Sequence, residues 1–295
     1  MTPTRKHELS RLACLIRMGV IEGVYHAKAG HPGGSLSSAE LLTYLYFEQM
    51  NIDPQNPHWE GRDRFVLSKG HAAPVLYAAL AYRGYFDPGH LKTLRKKGSF
   101  LQGHPSMKLC PGVDMSTGSL GQGISAAAGM ALGAKLAKPP SLAGGVAEGR
   151  GELMVYALLG DGEIQEGQVW EAAMFAAAKG LDHLVAIVDN NNLQIDGAID
   201  EVNSPYPIAE KFAAFGWNVI EIDAHSFDEI EAAFTRAMQF NGKPTAIVMK
   251  SVKGKGVSYM ENQVGWHGMA PNIEQYTQAM EELHAALNAL EGEVA

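Results

Sequence analysis

The sequence predicts an α/β fold, a doubly wound and mainly parallel sheet flanked by helices, and three observations lead there. Short apolar runs at 64–68, 153–159, 184–189, 218–223 and 245–250 alternate with helical patterns at 121–137, 166–180, 207–216 and 226–241, the signature of βαβ units. Several runs are nearly all apolar, such as Leu184-Val185-Ala186-Ile187-Val188, as strands covered on both faces require. One run, Val155-Tyr156-Ala157-Leu158-Leu159, stops at Gly160-Asp161-Gly162, which sets a carboxylate where a buried strand ends.

The remaining elements follow from spacing and punctuation. Leu9, Leu12, Ala13, Ile16, Val20 and Val24 recur at a helical period across residues 5–29. Gly30-His31-Pro32-Gly33-Gly34 must end that helix. Ser37-Ser38-Ala39-Glu40 reads as the next helix start, an approximate capping box with the acid three residues after Ser37. Residues 138–151 (KPPSLAGGVAEGRG) have the composition of a surface loop, and 273–291 builds a polar-faced helix on Ile273, Tyr276, Met280, Leu283, Leu287 and Leu290. No internal repeat occurs and no linker precedes residue 255, so residues 1–295 are expected to form a single domain with a C-terminal helical tail at about 273–291.

Bulk properties exclude several function classes. A chain of 295 residues, 46% hydrophobic and 19% charged, can bury a large core. A net charge of −8 argues against non-specific binding to nucleic acid. The longest basic run, Arg95-Lys96-Lys97, reads as a solvated face. Cys14 and Cys110 are far apart with no C-x-x-C arrangement, so neither a zinc site nor a disulfide framework is expected. The N-terminus MTPTRKHELSR lacks an apolar signal segment, and no stretch approaches the ~18 apolar residues of a membrane span. A reducing cytoplasm is the expected location, with no membrane and no nucleic acid as partner.

The chemistry sits at the strand ends. Ligands of open parallel sheets bind beyond the carboxyl ends of the strands. The strand at 153–159 delivers Asp161 there, and the strand at 184–189 delivers Asn190-Asn191-Asn192 to the same edge, with one helix between. One carboxylate and one amide oxygen supply too little charge for a calcium cage. They suit Mg²⁺, which completes its octahedron with phosphate oxygens and water. The flanking glycines are expected to permit positive φ and let backbone N–H groups meet phosphates, aided by the following helix N-terminus. A metal-bridged diphosphate follows. The plainer alternative is a tight turn and an unrelated polar loop.

G-D-G followed about thirty residues later by N-N resembles the diphosphate-binding signature of thiamine diphosphate enzymes. The surrounding segments resemble the transketolase family. They are A-G-H-P-G-G-S-L-S (29–37), D-R-F-V-L-S-K-G-H-A (63–72), G-H-P (103–105), T-G-S-L-G-Q-G-I-S (117–125), G-D-G-E-I-Q-E-G-Q-V-W-E (160–171), D-N-N-N-L-Q-I-D-G (189–197), S-V-K-G-K-G (251–256) and W-H-G (266–268). They run in order over residues ~10 to 270 of the chain.

The resemblance implies the thiamine diphosphate-binding fold, with thiamine diphosphate and Mg²⁺ (or another divalent cation such as Ca²⁺ or Mn²⁺) as cofactors. It makes Asp161, Asn191 and the main-chain carbonyl of Leu193 the metal ligands, with Gly160 and Gly162 at the diphosphate. It places Gly118 and Leu120 against the cofactor, His71 and His267 at the diphosphate end, and His31 and His104 at sugar hydroxyls. Neutral imidazoles there would carry protons during carbon–carbon cleavage, His267 included. Glu166 and Glu171 resemble carboxylates at the subunit interface, although first-turn acids also suit a helix dipole. His7, His26, His58, His90, His183, His225 and His284 match no motif and read as surface or core residues.

A full transketolase is roughly twice this length or more, and what would follow W-H-G is a pyrimidine-binding and a C-terminal domain. The expectation is therefore an N-terminal subunit of a split transketolase, paired in an α2β2 assembly with a separate C-terminal subunit. Its substrates would be ketose and aldose phosphates. Truncation of a longer protein is the other explanation. The fraying end at 290–295 and the H-P-G-G-S-L-S segment favour a natural subunit. G-D-G…N also occurs in 1-deoxyxylulose-5-phosphate synthase and in the 2-oxo acid dehydrogenase α-subunit, but His31, His71 and His104 suit hydroxylated sugars better. A non-catalytic nucleotide- or metal-binding module lacks support, because neither G-x-G-x-x-G nor a Walker lysine motif stands where a nucleotide would need it.

Overall fold

The computed structural model describes residues 1–137 and 153–292, so the loop expected at 138–151 lies outside the described residues. Strands β1 (Arg64–Leu67), β2 (Val155–Gly160), β3 (Leu184–Asn190), β6 (Asn218–Asp223) and β7 (Thr245–Lys250) form one sheet in the order β1-β2-β3-β7-β6, every neighbouring pair parallel. Strands β4 (Leu193–Gln194) and β5 (Gly197–Ala198) pair as a small antiparallel ribbon just after β3.

Side chains alternate across the sheet, and each face is covered by its own helices. On one face Tyr156, Leu158, Val185 and Ile187 meet α1 (Pro3–Ala27), α3 (Ala39–Tyr44), α4 (Ala73–Arg83) and α9 (Phe227–Ala237). On the other, Val155, Ala157, Leu159, Ala186 and Val188 meet α5 (Gly123–Leu136), α6 (Gly167–Ala178) and α8 (Ile208–Ala214). Both faces of β2 and β3 are therefore dry, which accounts for their unbroken apolar runs. Edge strand β6 alternates buried and exposed positions instead.

The predicted strands and major helices all form, the strands at 218–223 and 245–250 with the expected bounds and the others with ends within four residues of them. Helix α1 stops at Ala27, where Lys28 takes a left-handed conformation at φ 51°. Helix α10 (Ile273–Gly292) packs back along α1, where Cys14 donates to the Leu283 carbonyl. Two expectations need correction. Glu40 closes no capping box, because its carboxylate goes to Arg17 and His225, and no side chain caps α3 at Ser38. The sequence reading also passed over α4, which is buried on all sides and so carries no polar face to reveal its period. A short helix, α2 (Gly33–Leu36), likewise lies within the glycine-rich punctuation after α1. Among the described residues, no helix is long and apolar enough to cross a membrane.

Asp63 shows why D-R-F opens β1. Its two carboxylate oxygens accept from the backbone N–H groups of Met154 and Asn51, each at 2.8 Å, tying the start of the edge strand to its neighbour. Asp63→Ala would orphan both buried donors and should cost about 2–4 kcal/mol, read as a lower urea midpoint at unchanged m-value.

Candidate active site

Four chain segments meet at the carboxyl edge of the sheet: those leaving β1, β2, β3 and β7. Asp161, 2% exposed, is the first residue after β2. Its carboxylate accepts from the backbone N–H of Asn192 (2.7 Å) and of Gly162 (2.9 Å), and from the Asn190 amide (3.1 Å). The turn after β3 therefore wraps the carboxylate, and Asn192 adopts φ 64° to do so. Burial and the neighbouring Asp189 carboxylate push the Asp161 pKa up to about 6. No cationic side chain is bonded to it among the described residues.

The two expected partners of Asp161 behave differently from a simple pairing. The amide that donates to Asp161 is that of Asn190, whereas Asn191 donates to Asp189 (3.1 Å). The Asn191 amide oxygen accepts from the Leu193 N–H at 3.2 Å, and the Leu193 carbonyl accepts from the Lys253 ammonium at 2.8 Å. The amide oxygen and the carbonyl thus belong to the turn that wraps the Asp161 carboxylate, and the three offer an all-oxygen set of the kind a hard divalent cation takes. Among the described residues no group of three or more His, Cys, Asp or Glu side chains is placed to hold a metal ion, and this set, with a single carboxylate, is not of that kind.

The glycines act differently from expectation. Gly162 has φ −68°, and a Cβ at Gly160 would meet nothing nearer than 3.8 Å. Neither takes the left-handed region; Gly160 has room for a Cβ, whereas one at Gly162 would press on the Gln194 Cβ at 3.3 Å. The strained glycine is Gly118, at φ 148°, with the His104 ring 3.1 Å from where its Cβ would stand. Gly70 is equally constrained, because its Cβ would come within 2.7 Å of the Gly118 nitrogen. The segments carrying His71, His104 and Gly118 therefore touch backbone to backbone, and Leu120, 40% exposed, stands at the rim.

Three of the four motif histidines converge. Ring centroids of His31 and His71 lie 5.2 Å apart, His71 and His267 5.1 Å, and His31 and His267 5.5 Å. Burial, then nearby positive charge, lowers every one: His31 to about 4, His267 to about 3, and His71 and His104 below the usual imidazole range. All four are neutral near pH 7. Among the described residues His31 Nδ1 is buried without a hydrogen-bond partner, an unsatisfied polar atom within the histidine cluster.

Sequence reasoning assigned no role to several residues that build the site. Lys69 is buried and donates to Asp189 (2.6 Å), Ser38 (2.7 Å) and the Gly34 carbonyl (2.8 Å). Asp189 also receives the hydroxyls of Ser37 and Ser251, and Lys69 holds its carboxyl low despite burial. The Glu163 carboxylate accepts from Ser68 and from the N–H groups of Gly121 and Gly160, joining three of the loops. Lys253 lies 2.9 Å from His267 Nδ1, and burial lowers its pKa to about 8. Only their place inside the quoted motifs could have flagged these residues. Their partners lie 3 to 152 positions away in the chain, with Glu163 bonded to Gly160 at one extreme and Asp189 to Ser37 at the other.

Glu166 and Glu171 lie outside the cluster. Both are exposed, at the start and on the outer face of α6, beside the exposed Met174 (57%) and Phe175 (39%).

A parallel α/β sheet whose strand ends gather a buried carboxylate, an oxygen-rich turn, two lysines and neutral histidines defines a domain that binds an anionic cofactor or substrate there. Residues 9–286 match the family model described as transketolase, thiamine diphosphate binding domain. The 6-deoxy-6-sulfo-D-fructose transketolase subunit SqwG of a Clostridium species is 46% identical over 276 residues, 94% of this chain and 96% of that protein. A subunit of the apulose-4-phosphate transketolase of Phocaeicola vulgatus is 41% identical, covering 94% of both. Human transketolase is 40% identical over 93% of this chain but only 42% of its own length. The crystal structure of transketolase from Campylobacter jejuni superposes with a TM-score of 0.84 at 31% identity, over 96% of this chain and 45% of that one. The chain belongs to the transketolase family and corresponds to its N-terminal, thiamine diphosphate-binding part.

The loop that carries Lys253 is braced from behind. Glu40 binds Arg17 (2.6 Å) and His225 Nδ1 (3.1 Å), while His225 Nε2 accepts from the Val252 N–H (3.0 Å) and Arg17 donates to the Lys255 carbonyl (2.9 Å). Burial alone would raise the Glu40 pKa, but Arg17 and His225 outweigh it and hold it at about 2. A depressed folded-state pKa contributes stability that is present above the unfolded value near 4.5 and lost as pH falls toward 2. Urea unfolding between pH 6 and pH 3 should therefore show an acid-dependent loss on the order of 2 kcal/mol that Glu40→Gln largely removes.

Proposed function

We propose that this chain is the diphosphate-binding half of a two-subunit transketolase, moving a two-carbon ketol unit from a ketose phosphate to an aldose acceptor. The observation that carries the reading is Asp161, a buried carboxylate raised to about 6, with no cationic side chain bonded to it among the described residues and wrapped by the turn that presents Asn191 and Leu193. A divalent ion, Mg²⁺ or alternatively Ca²⁺ or Mn²⁺, held by Asp161, the Asn191 amide oxygen and the Leu193 carbonyl would neutralise that charge. Lys253, already bonded to the Leu193 carbonyl, adds positive charge for diphosphate oxygens.

Bound thiamine diphosphate supplies the carbanion chemistry of ketol transfer. This chain binds, orients and moves protons. His71 and His267, stacked beside Lys253, line the diphosphate end. His31 and His104 face the sugar, and as neutral imidazoles they can accept a proton from a substrate hydroxyl and return it. Gly118 and Leu120 form the wall against the cofactor ring.

The relatives matched end to end are named as subunits, and those twice as long match over less than half. These relations support a separate C-terminal subunit that completes the site in an α2β2 assembly. The outer face of α6, with Glu166, Glu171, Met174 and Phe175, is the surface we assign to that contact. Both subunit-sized relatives are named for sugars with an anionic group, a sulfonate in one and a phosphate in the other. We read the chain as a single domain and place it in the cytoplasm, in keeping with two buried, unpaired cysteines.

Mixing the purified chain with its C-terminal subunit, thiamine diphosphate, Mg²⁺, a ketose phosphate and an aldose phosphate should give ketol transfer. The chain alone should give none, and robust turnover without a partner would defeat the split-site reading. Release of CO₂ from pyruvate by the assembled complex would point instead to a dehydrogenase. In the complex, Asp161→Asn should weaken Mg²⁺-dependent cofactor binding by about a hundredfold or more by calorimetry, and an unchanged affinity would remove Asp161 from the metal site.

A further inference from the structure

Arg95 belongs to the basic run that reads as a solvated face, and it is exposed, yet its backbone and side chain are arranged for more than solvation. It has φ 59°, a left-handed conformation that non-glycine residues rarely hold without a reason. Its N–H donates to the Leu101 carbonyl at 2.8 Å, which closes the loop between them. The guanidinium then lies flat on Gly103. A Cβ there would come 2.9 Å from Cζ and 3.1 Å from both Nε and Nη2, so a side chain at 103 would push the guanidinium from this position.

The next residue is His104, whose ring rests on Gly118. The guanidinium thus sits one residue behind a histidine that faces the sugar. After burial, its charge is the main influence lowering both His31 and His104. Among the described residues its single side-chain hydrogen bond is a long one, 3.4 Å to the Gly103 carbonyl. Arg5, Arg11, Arg17 and Arg62 each hold a carboxylate, whereas among the described residues Arg95 holds none. A planar fork of donors is left free at the cleft wall of a chain whose net charge is −8.

We propose that Arg95 docks the oxyanion terminus of the sugar, a sulfonate or a phosphate, and so sets the preference of this site for charged over uncharged sugars. The proposal rests on the transketolase reading above and adds the group that recognises the anion. A guanidinium offers two parallel N–H bonds to an oxyanion, which an ammonium cannot reproduce. Because the side chain is exposed and anchored only by a weak bond, its replacement should leave the fold intact.

The test compares the assembled wild-type complex with Arg95→Gln and Arg95→Lys, using a phosphorylated aldose, its sulfonated analogue and the uncharged aldose. For Arg95→Gln, the ratio of kcat/KM for charged over uncharged acceptor should fall about ten- to a hundredfold. The loss should appear in KM rather than kcat, and Arg95→Lys should recover only part of it. Whichever anion loses more is the one this wall reads. Calorimetric titration of the same sugars into the cofactor-loaded complexes gives a second readout that needs no turnover. Equal losses for charged and uncharged sugars, or unchanged affinity for both anions, would overturn the proposal. A wild-type complex that transfers no ketol unit would instead defeat the transketolase reading, and the titration would still decide the anion contact.

Discussion

The fully buried Asp189 carboxylate is the tie on which the site depends. It collects the Lys69 ammonium from the end of β1, the Ser37 hydroxyl from the segment after α2, the Ser251 hydroxyl from the end of β7, and the amide of Asn191 in its own turn. A buried charge left without these partners would be costly, so each of the four segments is held at the place that satisfies it. Lys69 extends the tie to Ser38 and the Gly34 carbonyl. The glycine-rich segment carrying His31 is thereby fixed against the sheet edge, and the Asn191 amide is turned so that its nitrogen faces Asp189.

Around that tie, positive charge and neutral imidazole are kept apart by burial. The two lysines retain acidic neighbours, Asp189 for Lys69 and the field of Asp161 and Asp189 for Lys253. Among the described residues His71 and His267 have none within bonding distance, and burial, followed by the charge of those same lysines, drives both toward the neutral form. A cleft that gathers cations for a diphosphate thus also keeps its imidazoles able to accept protons near neutral pH. A net charge of −8 over the chain makes this local positive character a property of the site rather than of composition.

The rim of the site and the exposed Met174 and Phe175 on the outer face of α6 belong to one physical situation. Met174 and Phe175 sit exposed on a helix whose opposite face is fully packed, and Leu120 stands uncovered at the rim of the cleft. Covering such surface is favourable. A partner that covered it would also reduce water access to the groups at the strand ends.

Much of this was determined by the sequence alone, because local patterns carry it. Apolar runs of strand length separated by helical periods give β2, β3, β6 and β7, and motif order places Asp161, Asn191 and the four histidines in their loops. Helix α4 stayed hidden because a helix buried on every side has no polar face. Only the tertiary structure decided that Asn190, not Asn191, donates to Asp161, and that neither Gly160 nor Gly162 takes a positive φ. It also decided that Lys69 pairs with Asp189 across 120 residues and that Glu40 braces the Lys253 loop through His225. Those outcomes depend on which buried polar atoms meet once distant segments pack, and no periodicity or spacing encodes that.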